Sequence, residues 1–141
     1  MNYVERCLYD YLDNVVKLYI MQIEMSCLMS VQGQSYNVHS GNGTSNPVFE
    51  FTSKLMSLER KINQIEKRIK AVRRLRSELI GSDVRIQQML SILRLRYFDH
   101  MQHNKVMRVM AVSRNTYWRR HSELLQKARK YFDEVTVKIT S

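Results

Sequence analysis

Eight apolar residues step through the middle of this chain by threes and fours without a miss. They are Val48, Phe51, Leu55, Leu58, Ile62, Ile65, Ile69 and Val72. That spacing is the repeat of a coiled-coil helix, and no strand shares it. Leu79 resumes the pattern after Arg76 has taken a seam position. Pro47 suits the first helical turn, where its missing N–H costs nothing, and Ser45 or Asn46 can cap it. The pattern predicts one helix over 47–80, about 50 Å long. Flanking positions are charged, among them Arg60, Lys61, Glu66, Lys67, Arg68 and Lys70. The basic run from Lys67 to Arg76 reads mainly as a solvated face.

A seam of this length must be covered. The first helix can fold back on it, a second subunit can pair with it, or both. The expectation is both, with Leu55, Leu58, Ile62, Ile65, Ile69 and Val72 as the oligomerisation seam of a homodimer. The first helix is predicted over 3–29, with Leu8, Leu12, Val15, Tyr19 and Ile23 as its inward stripe. Val4, Tyr11, Leu18 and Met25 widen that stripe, so the helix is expected to touch two neighbours. Tyr3, Tyr9, Tyr11 and Tyr19 alternate with aliphatics at helical spacing, which reads as core and interface rather than a base-stacking platform. Residues 30–46 are rich in Ser, Gly and Asn and read as a flexible surface loop.

The whole chain holds one proline and four glycines, three of them between 33 and 43, which leaves the rest free to be helical. Gly81 ends the long helix, and Ser82 or Asp83 caps the next. Ile86, Leu90, Leu93 and Tyr97 are its expected buried stripe. The fold class is therefore all-α. A helical hairpin or coiled coil over 1–80 precedes a small three-helix domain over 81–141.

Residues 106–128 read as helix, three-residue turn, helix. Val106, Met107 and Met110 face inward, Ala111-Val112-Ser113 breaks the chain, and the Ser113 hydroxyl can accept from Asn115 or Thr116 N–H. Tyr117, His121, Leu124 and Ala128 then form a buried line. Arg114, Asn115, Trp118, Arg119 and Ser122 are left outside. A basic, amide-bearing face at the start of a second helix is what a helix-turn-helix offers the major groove. Lys105, Arg108, Arg120, Lys127, Arg129 and Lys130 are the expected phosphate contacts.

Charge points the same way. The net formal charge is +10, with −2 over 1–46, +5 over 47–81 and +7 over 82–141. Such a field draws polyanions toward the C-terminal half. A membrane partner is not expected, because no long helix opposes an apolar face to a purely cationic one. No apolar run is long enough to span a bilayer, and the acidic N-terminus is unlike a signal peptide. Cys7 and Cys27 lie about 30 Å apart on one predicted helix, too far for a disulfide, which suits a reducing cytoplasm. His100 and His103 fall at a helix end with no third ligand beside them, so no metal or other cofactor is expected. No acid pair, nucleophile elbow or phosphate loop is present, and an enzyme is not expected.

With these segments in order, the chain resembles the RinA/ArpU-type phage transcriptional activators, whose C-terminal part is similar to sigma factor region 4. The resemblance rests on Tyr3-Val4-Glu5 with Leu8-Tyr9-Asp10-Tyr11, and on the polar loop before Asn46-Pro47. It rests also on Leu95-Arg96-Tyr97, and on Ser113, Thr116, Tyr117 and Trp118. It implies a phage or prophage activator of late genes such as packaging, structural or lysis genes, acting in the bacterial cytoplasm on double-stranded DNA and host RNA polymerase. Two other readings fit the residues. One is a small terminase-like packaging protein, which would form a ring. The other is a polymerase-contacting adaptor that binds DNA without sequence preference.

Overall fold

The computed structural model describes the backbone of residues 1–35 and 47–140, and side chains up to 30 and from 48 to 132. Among the described residues every regular element is helical. The order is α1 (Tyr3–Tyr9), α2 (Tyr11–Ser35), α3 (Pro47–Glu78), α4 (Val84–Ile92), a π-helical segment (Leu93–Phe98), α5 (His103–Met110) and α6 (Arg114–Thr140). The chain divides into two compact units, residues 1–14 with 67–141, and residues 15–66. The first unit joins residues 1–14 to the C-terminal helices, with α1 packed on the π-helical segment and on α6.

The first helix is not continuous from 3 to 29. It is interrupted at Asp10, and α2 then runs on to Ser35, beyond the expected loop start. His100 supplies the physical reason for the interruption. Its Nε2 donates to the Tyr9 carbonyl at 2.7 Å, so that oxygen is used outside the helix ladder. The His100 ring lies stacked on the Tyr9 ring, 3.8 Å between centroids and 15° between planes. Asn2 caps α1, its Oδ1 accepting from Glu5 N at 2.8 Å. The remainder of the expected loop, 36–46, lies outside the described residues, as does the cap at Ser45 or Asn46.

Part of the expected inward stripe of the first helix turns outward. Leu12, Tyr19 and Ile23 are exposed. Leu8 is fully buried as expected, Val4 and Tyr11 of the wider stripe are buried and Leu18 and Met25 half-buried, and the line is completed by Cys7 and Asn14, buried, and Met21 and Leu28, half-buried. This second line also steps by threes and fours, and it includes a polar Asn14 that a hydropathy reading passes over. Both cysteines are free thiols, Cys7 buried and Cys27 exposed.

On α3 the predicted seam is covered within one chain. Leu55 and Leu58 are half-buried, and Ile62, Ile65, Ile69 and Val72 are buried. The helix ends at Glu78 rather than at residue 80. Asp83 caps α4, its Oδ1 accepting from Arg85 N at 3.0 Å.

The core of the first unit is built from fully buried side chains of each element: Leu8, Val72, Leu75, Leu79, Ile92, Leu93, Tyr97, Val106, Tyr117, Leu124 and Phe132. Each aliphatic or aromatic side chain removed from water this way contributes about 1.5–3 kcal/mol. The buried line of the third helix differs from expectation. Met89, Ile92, Leu93 and Tyr97 are inside, whereas Ile86 and Leu90 are only half-buried. The π-helical turn accounts for this. Its i→i+5 bonding, seen where Asp99 N donates to Arg94 O at 2.8 Å, takes up one extra residue per turn. Tyr97 is thereby carried back into line with Met89 and Leu93.

Candidate nucleic-acid interface

Helix α5 ends where Ala111 adopts a left-handed backbone, φ 54° and ψ 44°. Val112 and Ser113 follow, and α6 starts at Arg114. Ser113 Oγ accepts from Thr116 N at 3.2 Å, the cap expected from sequence. Its hydroxyl also donates to Thr116 Oγ1 at 2.9 Å. The left-handed conformation costs an L-residue about 1–2 kcal/mol. Replacing Ala111 by glycine removes that cost but frees the unfolded chain by about 0.4–1 kcal/mol. Ala111→Gly is therefore expected to stabilise the protein by up to about 1 kcal/mol in urea unfolding. A loss of stability would show that the alanine methyl makes a contribution of its own.

The inward face of α6 is the predicted one. Tyr117, His121, Leu124 and Ala128 are buried, and Leu125 and Phe132 extend the line. Two imidazoles knit this face to the rest of the unit. His121 Nε2 and the Tyr97 hydroxyl share a 2.6 Å hydrogen bond, and the same hydroxyl donates to Glu5 Oε2 at 3.4 Å. His103 Nδ1 and the Tyr117 hydroxyl share another at 2.6 Å. Burial holds both imidazole pKa values below the usual 6.5, assisted at His121 by the nearby His103. Burial also pushes the Tyr117 phenol up to about 12 and raises that of Tyr97 further. The cluster therefore stays neutral near pH 7 and behaves as core.

Trp118 belongs partly to that cluster. Its ring is 4.8 Å from the His103 ring and 5.3 Å from that of His121, and 38% of the residue remains exposed. Its first duty is to seal α5 against α6, leaving one edge outside. His100 and His103 do not converge: one is held by Tyr9 and the other by Tyr117. Among the described residues no group of three His, Cys, Asp or Glu side chains could hold a metal ion. Tyr3 and Tyr11 of the expected first helix are also engaged, whereas Tyr19 is exposed. Tyr3 meets Phe132 edge-on at 6.3 Å, and Tyr11 stacks on Phe98 at 5.0 Å.

The outward face separates into two flanks. Asn115, Arg119, Ser122, Gln126 and Arg129 recur at steps of four, three, four and three, and all are exposed. None of them is engaged by another described side chain. Arg114 is exposed beside them at the helix start. Gln126 was not among the expected site residues. The step of four beyond Ser122 is the signal that would have found it. Lys105 and Arg108 of α5 are exposed as well.

The second flank is tied down. Arg120 Nε donates to Gln88 Oε1 of α4 at 2.9 Å, and its NH1 donates to Glu123 Oε1 at 3.0 Å. Lys127 Nζ donates to Glu78 Oε1 at 3.2 Å, and the Tyr131 hydroxyl donates to Glu78 Oε2. The Tyr131 hydrogen bond and the Lys127 charge hold the Glu78 carboxyl below its usual pKa. Lys130 lies with its Nζ 5.9 Å from the centre of the Tyr131 ring. Arg120 and Lys127, both expected on phosphates, thus brace α6 against α4 and α3.

Among the described residues no helix is long and apolar enough to cross a membrane. A family model described as a protein of unknown function (DUF1492) matches residues 37–133. Neither a curated protein nor a solved structure matches the chain.

Proposed function

The chain belongs to that family of unknown function, and we propose that it is a sequence-specific double-stranded DNA-binding regulator of transcription, with α5, the turn and α6 acting as a helix-turn-helix. One observation carries this reading. The exposed line Asn115, Arg119 and Ser122 is unengaged, at the start of a helix whose opposite flank is fixed. From Asn115 to Ser122 is about 10 Å along the helix. A major groove about 12 Å wide accepts that length.

Arg119 is matched to guanine O6 and N7 and Asn115 to adenine N6 and N7, because each pairing satisfies two edge groups at once. Arg114 and Ser122 flank them, and the free edge of Trp118 is placed for a thymine methyl or a sugar. Arg129 lies about 20 Å beyond Asn115, outside the groove and at the height of the phosphates. Lys105 and Arg108 of α5 would meet the backbone on the other side. The resemblance to RinA/ArpU-type activators adds the setting: a phage or prophage protein, host RNA polymerase as partner, late genes as target. A dimer would present two such helices to a two-part site.

Selection from a random pool of duplex DNA tests the reading. Wild-type protein is expected to enrich a motif that an Asn115→Ala/Arg119→Ala protein does not. Binding without enrichment by wild type would refute sequence-specific readout. In the same assay Lys105→Ala is expected to weaken all sequences alike and to reduce the salt slope by about one unit. A changed base preference in that variant would move Lys105 into the groove.

A further inference from the structure

The face of α2 turned away from its covered line is apolar and bare. Val16, Tyr19, Ile20 and Ile23 are 58%, 70%, 51% and 53% exposed, and Cys27 is exposed on the same line. At 100° per residue this stripe lies about 180° from Leu18, Met21, Met25 and Leu28. A helix apolar on two opposite faces is made to touch two neighbours. We infer that the outer stripe is where a second copy of the chain docks, α2 against α2 and antiparallel. The surface stands independently of the DNA-binding reading.

Charge selects a second copy as the occupant. The chain as a whole is +10, so two copies repel over most of their surface. α2 carries only Asp13, Lys17 and Glu24, a net charge of −1. A stripe whose helix has one lysine against two acids fits neither a polyanion nor an anionic lipid surface.

Charge also selects the orientation. Lys17 and Glu24 lie on the same side of the stripe, seven residues apart. In an antiparallel pair like flanks meet. Setting Val16 against Ile23 of the second copy, and Tyr19 against its Ile20, brings Lys17 within reach of Glu24 of that copy. The two-fold axis repeats the pair. A parallel pair would leave both charges unmatched across the seam.

Sedimentation velocity on the full chain over a wide concentration range is the test. Wild type is expected to dimerise reversibly. Ile20→Glu should raise the dimer dissociation constant about tenfold or more. Lys17→Glu and Glu24→Lys should each raise it roughly two- to fivefold, and the two together should restore it. Far-UV circular dichroism checks that each variant keeps its helix content. If Ile20→Glu loses helix, Ile23→Glu repeats the test on the same face. A wild type that stays monomeric, or a dimer indifferent to the glutamates on this face, overturns the surface. Weakening by both charge changes without restoration in the double variant overturns the antiparallel register.

Discussion

Replacing Tyr97 by alanine is expected to destabilise the unit made of residues 1–14 and 67–141 by about 4–8 kcal/mol. The ring is fully buried where the π-helical segment meets α6. Truncating such a ring costs about 3–5 kcal/mol in lost contacts and cavity. It also leaves His121 without the 2.6 Å hydrogen bond it now shares, worth about 1–3 kcal/mol more. A typical domain has only about 5–15 kcal/mol to lose. Tyr97→Phe separates the two contributions, because it keeps the volume and removes only the hydroxyl. It should fold and lose about 1–3 kcal/mol in urea unfolding monitored by circular dichroism. If Tyr97→Ala melts within a few degrees of wild type, the π-helical segment is not the centre of this core.

The second large effect separates two adjacent arginines. Arg119→Ala is expected to cost about 1–3 kcal/mol in binding to the selected DNA and to relax preference at one base pair. Its thermal midpoint should not move, since Arg119 is exposed and unengaged among the described residues. Arg120→Ala should do the reverse. It removes the hydrogen bonds to Gln88 and Glu123 from a side chain only 11% exposed. That costs about 1–2 kcal/mol of folding stability, with base preference unchanged. Competition against single-base variants of the selected site, paired with a melting curve for each protein, reads both. An Arg119→Ala protein that keeps the same base preference would remove Arg119 from the groove. An Arg120→Ala protein with altered preference would assign Arg120 there instead.

The α5–turn–α6 segment was legible because its information is local. The spacing of Tyr117, His121, Leu124 and Ala128 fixes one face, and Ser113 fixes the start. The features that were not legible depend on residues far apart in the chain or on departures from a regular 3.6-residue pattern. The break at Asp10 follows from His100, which is 91 residues from the carbonyl it binds. The third helix buries Met89 and Ile92 because of a π-helical turn, whereas a regular 3.6-residue pattern favours Ile86 and Leu90. On α2 two lines share the same pitch, and hydropathy included both, so it could not tell the covered line of Tyr11, Leu18 and Met25 from the exposed one of Leu12, Tyr19 and Ile23. Arg119 and Arg120 have the same chemistry in sequence. Gln88, 32 residues upstream, and Glu123, one turn on, engage Arg120 and leave Arg119 free among the described residues.

The division of α6 into a braced flank and a free one has an evolutionary consequence. The buried line Tyr117, His121, Leu124 and Ala128, with the contacts of Arg120, Lys127 and Tyr131 beside it, fixes the rotation of the helix, so the direction in which position 115, 119 or 122 points is inherited from elsewhere. Those three positions carry no structural duty of their own. On the proposed reading, exchanging them one at a time would change base preference at little cost in folding stability. Drift at the braced positions is penalised before binding is ever tested.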